Sequence, residues 1–181
     1  MLKQTPLTLG SEDIRKLLIK YAVPAIVAMT AASLYNMMDS IFIGHGVGPL
    51  AIAGLAVTFP FINLAAAFGS LVGVGASTLV SVKMGQKDLK SAEAVLGNVL
   101  LLNTLIGCIF MVVCLIFLDP ILYFFGASAD TLSYARDYMK VILYGNLITH
   151  IYMGLNEVMR ASGYPQRAMA ATLFAVAING V

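Results

Sequence analysis

Tyr35, Asn36 and Asp39 stand inside the first long apolar run of the sequence, in Tyr35-Asn36-Met37-Met38-Asp39-Ser40-Ile41-Phe42-Ile43-Gly44. Asn36 lies at i−3 from Asp39 and Tyr35 at i−4, so in a helix all three share one face. A carboxylate at the centre of a membrane helix costs about 2.5–3.5 kcal/mol on insertion scales, and acids kept there are usually functional. With an amide and a phenol beside it, Asp39 has the makings of a small proton or sodium site, the one metal ion the sequence suggests. A second reading stays open: Asp39 is close to Gly44 and would then sit hydrated at the interface, without a role.

A second constellation follows a helical period. Asn146, His150, Met153, Glu157 and Arg160 are spaced 4-3-4-3 and line one face. A polar seam of that length belongs against a bundle interior or a wet cavity, away from lipid. Asn146, His150 and Met153 are therefore candidates for a substrate cavity. His150, near mid-membrane and of a type that titrates near neutral pH, is equally readable as a structural hydrogen-bonding residue. Glu157 and Arg160 are expected to form a local ion pair.

The elements that position these residues are membrane helices. Of 181 residues, 60% are hydrophobic and 11% charged, with a mean hydropathy of +0.89. A soluble domain has about 25% charged residues, so the fold class is an all-α polytopic membrane protein. Apolar runs of about 20 residues mark the spans: about 17–43, 50–82, 94–118 and 138–159. A fifth, 168–181, reaches only about 21 Å at 1.5 Å per residue, short of the roughly 30 Å hydrocarbon core. The expectation is four complete spans and part of a fifth, a single unit over 1–181 that is a piece of something longer. The first run continues past Ala31-Ala32-Ser33 and carries Asp39, which argues against a cleaved signal peptide.

Charge gives the orientation. With the N-terminus inside, the inner segments hold Lys3, Arg15, Lys16, Lys20, Lys83, Lys87, Lys90, Arg160 and Arg167, and the outer ones only Arg136 and Lys140. That bias predicts a cytoplasmic N-terminus in a plasma (inner) membrane. A net charge of +2 with scattered basic residues gives no nucleic-acid surface. The outer connections are 44–49 and the longer 119–137 stretch.

Packing signals complete the reading. Ala65, Gly69, Gly73, Ser77 and Ser81 put a small residue at every fourth position of the second span, a stripe that lets a neighbouring helix approach closely. Pro24 and Pro60 fall inside spans and free a carbonyl each. Cys108 and Cys114 read as small buried hydrophobes, and the ten methionines mostly as packing.

Several stretches resemble the multidrug and toxic compound extrusion (MATE) family. Asn36 to Gly44 resembles its first-helix signature, and 44–60 its outer loop and second helix. Residues 69–81 followed by Lys83-Met-Gly-Gln-Lys-Asp88 resemble its second inner turn. Residues 158–169 resemble the inner loop between its fourth and fifth helices, and Asn179 falls where the family has a helix-five asparagine. The resemblance implies the N-terminal lobe of a twelve-helix, two-lobe exporter. Such exporters expel drugs and organic cations in exchange for protons or sodium ions by alternating access. It implies that Asp39 couples ion to drug, with Asn179 as a partner, and that a C-terminal lobe of the same protein completes the cavity.

Other classes fit less well. An aspartyl protease needs two carboxylates meeting across helices, whereas Asp39 and Glu157 are expected at opposite membrane faces, so the chain is not read as an enzyme. A flippase for lipid-linked precursors has a related architecture but calls for a more basic cavity. A non-transporting truncated fragment is the third alternative.

Overall fold

The structure is a computed structural model and describes residues 12–179. Among these, the chain forms six helices and no strand: α1 (Ile14–Gly46), α2 (Pro49–Gly85), α3 (Leu89–Ile116), α4 (Leu118–Phe124), α5 (Leu132–Ala161) and α6 (Pro165–Asn179). Three of them, α1, α2 and α3, are long and apolar enough to cross a membrane by length and composition. At 30 residues, α5 extends about 45 Å and has the length for a crossing, but the polar seam runs along it. The helices start and stop on local chemistry. The Asp13 carboxylate accepts from the Arg15 backbone N–H at 2.8 Å, and Pro49 and Pro165 open α2 and α6, where a missing N–H is harmless. Gly48 (φ 114°) precedes α2 and Gly163 (φ 88°) follows α5, both in the left-handed region that glycine enters freely.

The turn between α2 and α3 is held by Asp88. Its carboxylate caps α3 by accepting from the Ser91 backbone N–H at 3.1 Å, and Lys83 lies 3.8 Å away. The Ser91 hydrogen bonds, with help from Lys83, hold the Asp88 carboxyl below its ordinary 3.8. A lowered value means the cap is in force at and above that ordinary value and fades only as the pH falls beneath it. Asp88→Ala is expected to fray the turn at neutral pH, read as faster tryptic cleavage after Lys87 with no change in helix content. Unchanged cleavage would show that Asp88 does not hold the turn.

The helices form two groups. Helices α2, α3 and α5 pack on one another, while α1 packs chiefly on α6 and more lightly on α2. Along the bundle axis the interior alternates. At one end Phe61, Cys114, Leu118, Leu122, Met139 and Leu143 form an apolar cluster, tightened by Phe61 stacked on Phe110 at 5.7 Å. At the other, Ala76, Val80, Val99 and Val158 form a second. Between them lies a polar layer of Asn103, Asn146 and His150, each at most 4% exposed. Outside, leucine, isoleucine, valine and phenylalanine dominate the exposed surface, as suits a bundle solvated by lipid.

Two expectations are corrected. The small-residue stripe of α2 holds through Ala65, Gly69 and Gly73, but then passes to Ala76 and Val80, with Ser81 exposed. A strict four-residue step gains about 40° per step on a 3.6-residue helix, so the buried face must return by a step of three. The 119–137 stretch is also more than a connection. It holds α4 and the first turns of α5, which begins at Leu132. There Leu118 and Leu122 bury themselves, and Asp119 takes the Nε and Nη2 donors of Arg136, the former at 2.7 Å.

Candidate functional site

Asp39 lies in the second half of α1, half-buried. Its Oδ2 accepts a hydrogen bond from the phenol of Tyr138, in the first turns of α5, at 3.2 Å across 99 residues of sequence. Tyr35, one turn before Asp39, is close enough to interact electrostatically with both. The site is thus one carboxylate with two phenols, built between α1 and α5. A hydrogen bond to a charged group contributes about 1.5–3 kcal/mol, which offsets the cost of keeping an acid near the outer end of the span, below the roughly 2.5–3.5 kcal/mol of a helix centre. Ser40, the next residue, turns its hydroxyl back onto the Asn36 carbonyl at 3.0 Å, satisfying itself within the helix. The Asn36 side chain is exposed on α1, and that of Asn179 lies outside the described residues.

Tyr138 is the member that the sequence reading did not assign. It stood at the predicted start of the fourth span. The signal available was positional: a phenol at the outer end of that span, level with Asp39 near the outer end of the first.

The seam of α5 is a separate place. From Tyr138 to His150 is 12 residues, or about 18 Å of helix, so the structure does not join the Asp39 group to Asn146, His150 and Met153. His150 is 1% exposed. Its Nδ1 pairs with the Asn146 carbonyl at 2.9 Å, and its ring lies 5.8 Å from that of Phe110. Its Nε2 and the Asn146 Nδ2 have no hydrogen-bond partner among the described residues. With Met153, Ile62 and Ala65, they line a cleft of about 80 Å³ between α2 and α5, enough for a few waters and much smaller than a drug site. The expected ion pair of Glu157 and Arg160 forms at 3.9 Å, 19 residues along α5 from Tyr138 and about 28 Å away.

Two polar groups were not singled out from sequence. Asn103 of α3 is fully buried against Gly154, with neither amide atom partnered among the described residues. Tyr152 and Thr172 share a hydrogen bond at 2.7 Å between α5 and α6, and Asn156 donates to the Ala168 carbonyl at 3.1 Å. These tie α6 to the bundle from inside.

Comparisons with known proteins are specific. Residues 24–181 match the MatE family model. Multidrug export protein MepA of Staphylococcus haemolyticus is 29% identical over 167 residues, covering 92% of this chain and 37% of that protein. MepA of Staphylococcus aureus strain MRSA252 is 27% identical over 164 residues, 91% of this chain and 36% of its own length. The chain therefore spans somewhat over a third of the length of these curated relatives. Among solved structures, a multidrug resistance MATE family transporter of the MOP superfamily, in an outward-facing conformation, superposes with a TM-score of 0.89. It is 26% identical over 99% of this chain and 40% of its own. The MATE multidrug transporter DinF-BH gives the same TM-score at 31% identity, over 98% of this chain and 40% of its own.

Proposed function

Since the chain belongs to the MatE family, whose members are membrane transporters and not enzymes, we propose that it is the N-terminal lobe of a cation-coupled drug exporter. The remaining lobe of the same protein would complete the cavity, and drugs or organic cations would be exchanged for protons or sodium ions. The observation that carries this is the Asp39–Tyr138 hydrogen bond, an acid held between two helices within an apolar lobe. That MepA is a multidrug export protein and DinF-BH a multidrug transporter supports the substrate class. The distribution of lysine and arginine supports a cytoplasmic N-terminus in the plasma membrane.

The mechanism follows from what the carboxylate loses. Ionised, Asp39 attracts a cationic drug and holds Tyr138 by a charge-assisted bond. Protonation, or a bound sodium ion, removes the charge and leaves a weaker neutral bond, so α1 is freer to repack against α5. Tyr35 and Asn179 serve as further partners of Asp39, and Asn36 offers an amide at the same level. Asn146, His150 and Met153 contribute a polar wall deeper in the lobe. Exchange requires only that ion and drug favour different states.

Efflux of a fluorescent organic cation from proteoliposomes containing the full-length protein tests this. A proton or a sodium gradient, imposed separately, is expected to drive efflux, and the effective gradient identifies the ion. Tyr138→Phe removes one charge-assisted hydrogen bond worth about 1.5–3 kcal/mol and should slow coupled efflux by about tenfold or more. Efflux indifferent to both gradients would overturn the coupling. Full activity in Tyr138→Phe would detach the phenol from it.

A further inference from the structure

We infer that the groove where α3, α4 and α5 meet binds the anionic headgroup of a membrane phospholipid, whose acyl chains lie along α3. Such a site needs the membrane setting alone and takes nothing from the transport cycle.

The groove has a volume of about 340 Å³ and is lined by Leu115, Ile116, Asp119, Pro120, Arg136 and Lys140, with Leu118 beneath. Arg136 and Lys140 are one turn apart at the start of α5 and are, among the described residues, the arginine and the lysine at this end of the bundle. Asp119 occupies the Nε and Nη2 donors of Arg136, which fixes the plane of the guanidinium and leaves its Nη1 edge open. Lys140 is exposed and forms no ion pair among the described residues. The lining charges sum to one positive, and Asp137, outside the lining, acts on Arg136 as well, so Lys140 is the cation left free for an anion. A fixed guanidinium edge beside a mobile ammonium is suited to a phosphodiester.

Two independent observations specify a lipid. The first is α3 itself. Its buried side is Val99, Asn103, Gly107 and Cys114. On the opposite side Leu101, Leu105, Ile109, Val112 and Ile116 are each about half exposed or more. These five fall within about 80° of one another at 100° per residue, so they form a continuous apolar rail of about 22 Å ending at the groove. A free phosphate has no use for such a rail, whereas an acyl chain does. The second is depth. Tyr123, close enough to Arg136 to act on it electrostatically, is exposed beside the groove, the placement of tyrosine at a membrane–water interface. The two cations therefore stand at the level of the lipid phosphates.

Native mass spectrometry of the full chain released from nanodiscs tests the assignment. With equal parts phosphatidylcholine and phosphatidylglycerol, the wild type should retain phosphatidylglycerol preferentially. A basic residue near an anionic surface contributes about 1 kcal/mol, so Lys140→Gln should lower that preference about fivefold and Lys140→Glu should abolish it. Lys87→Gln, at the opposite end of the bundle, should leave it unchanged. Equal retention of both lipids by the wild type, or a preference untouched in Lys140→Glu, would overturn the site. So would chain-to-chain crosslinking of an Ile116→Cys variant in the bilayer, which would assign this face to a second copy.

Discussion

Asp39→Asn is expected to abolish gradient-driven drug export while leaving the protein folded and inserted. The substitution keeps the shape of the side chain and an oxygen that accepts from the Tyr138 phenol, which stands 3.2 Å from the carboxylate. It removes the charge and the titratable proton. Asparagine is also cheaper than aspartate in hydrocarbon, so insertion should be preserved. Coupling between two ligands amounts to about 1–3 kcal/mol, roughly 5- to 150-fold, and all of it is lost where the group carrying it no longer changes state. Drug binding at equilibrium should persist in weakened form, whereas uphill movement in proteoliposomes should fall to the leak. A folded Asp39→Asn protein that still concentrated drug against its gradient would sink the coupling role of Asp39.

The largest effect on stability is expected at the contact of Gly73 with Gly154. A Cβ at Gly73 would stand 2.8 Å from the Gly154 Cα and 3.2 Å from its carbonyl oxygen, and a Cβ at Gly154 would fall on the Asn103 amide. Backbone cannot swing aside as a side chain can, so α2 and α5 must separate. Overpacking of this kind costs about 1–3 kcal/mol, and more where nothing can move. Gly73→Ala should lower the thermal midpoint in detergent by roughly 5–10 °C. Gly75→Ala, where a Cβ meets nothing within 4 Å, should be neutral. Gly154→Ala should be as damaging as Gly73→Ala but partly rescued by Asn103→Ala, which removes the obstructing amide. A Gly73→Ala protein as stable as Gly75→Ala would show that the close approach is dispensable.

Much of the lobe was legible in the sequence because hydrocarbon imposes a coarse rule. Runs of the right length had to be helices, and Asp39 was conspicuous against such a background. Local pairs were equally accessible: Glu157 and Arg160 are one turn apart, and they meet. What depends on register between distant helices was not. Tyr138 reaches Asp39 across 99 residues, a meeting that no periodicity reports. Asn103 was hidden beside Leu100, Leu101 and Leu102, where one amide hardly alters the hydropathy. The α2 stripe was misread at Ser77 and Ser81 because a fixed step of four ignores the helix's own drift. Helix α4 was missed because seven residues leave no periodic signal of their own.

The backbone contact at Gly73 and Gly154 has a mechanical consequence. Sliding α2 along α5 by one residue would replace glycine with a side chain on one surface or the other, so this seam resists shear as a key resists its keyway. Helices α2, α3 and α5 then act as a chassis. Compliance must be sought where ties to that chassis are few, along α1, which the Asp39–Tyr138 bond fastens to α5. On the proposed exchange cycle, release of that one catch would free α1 with no need to deform the core.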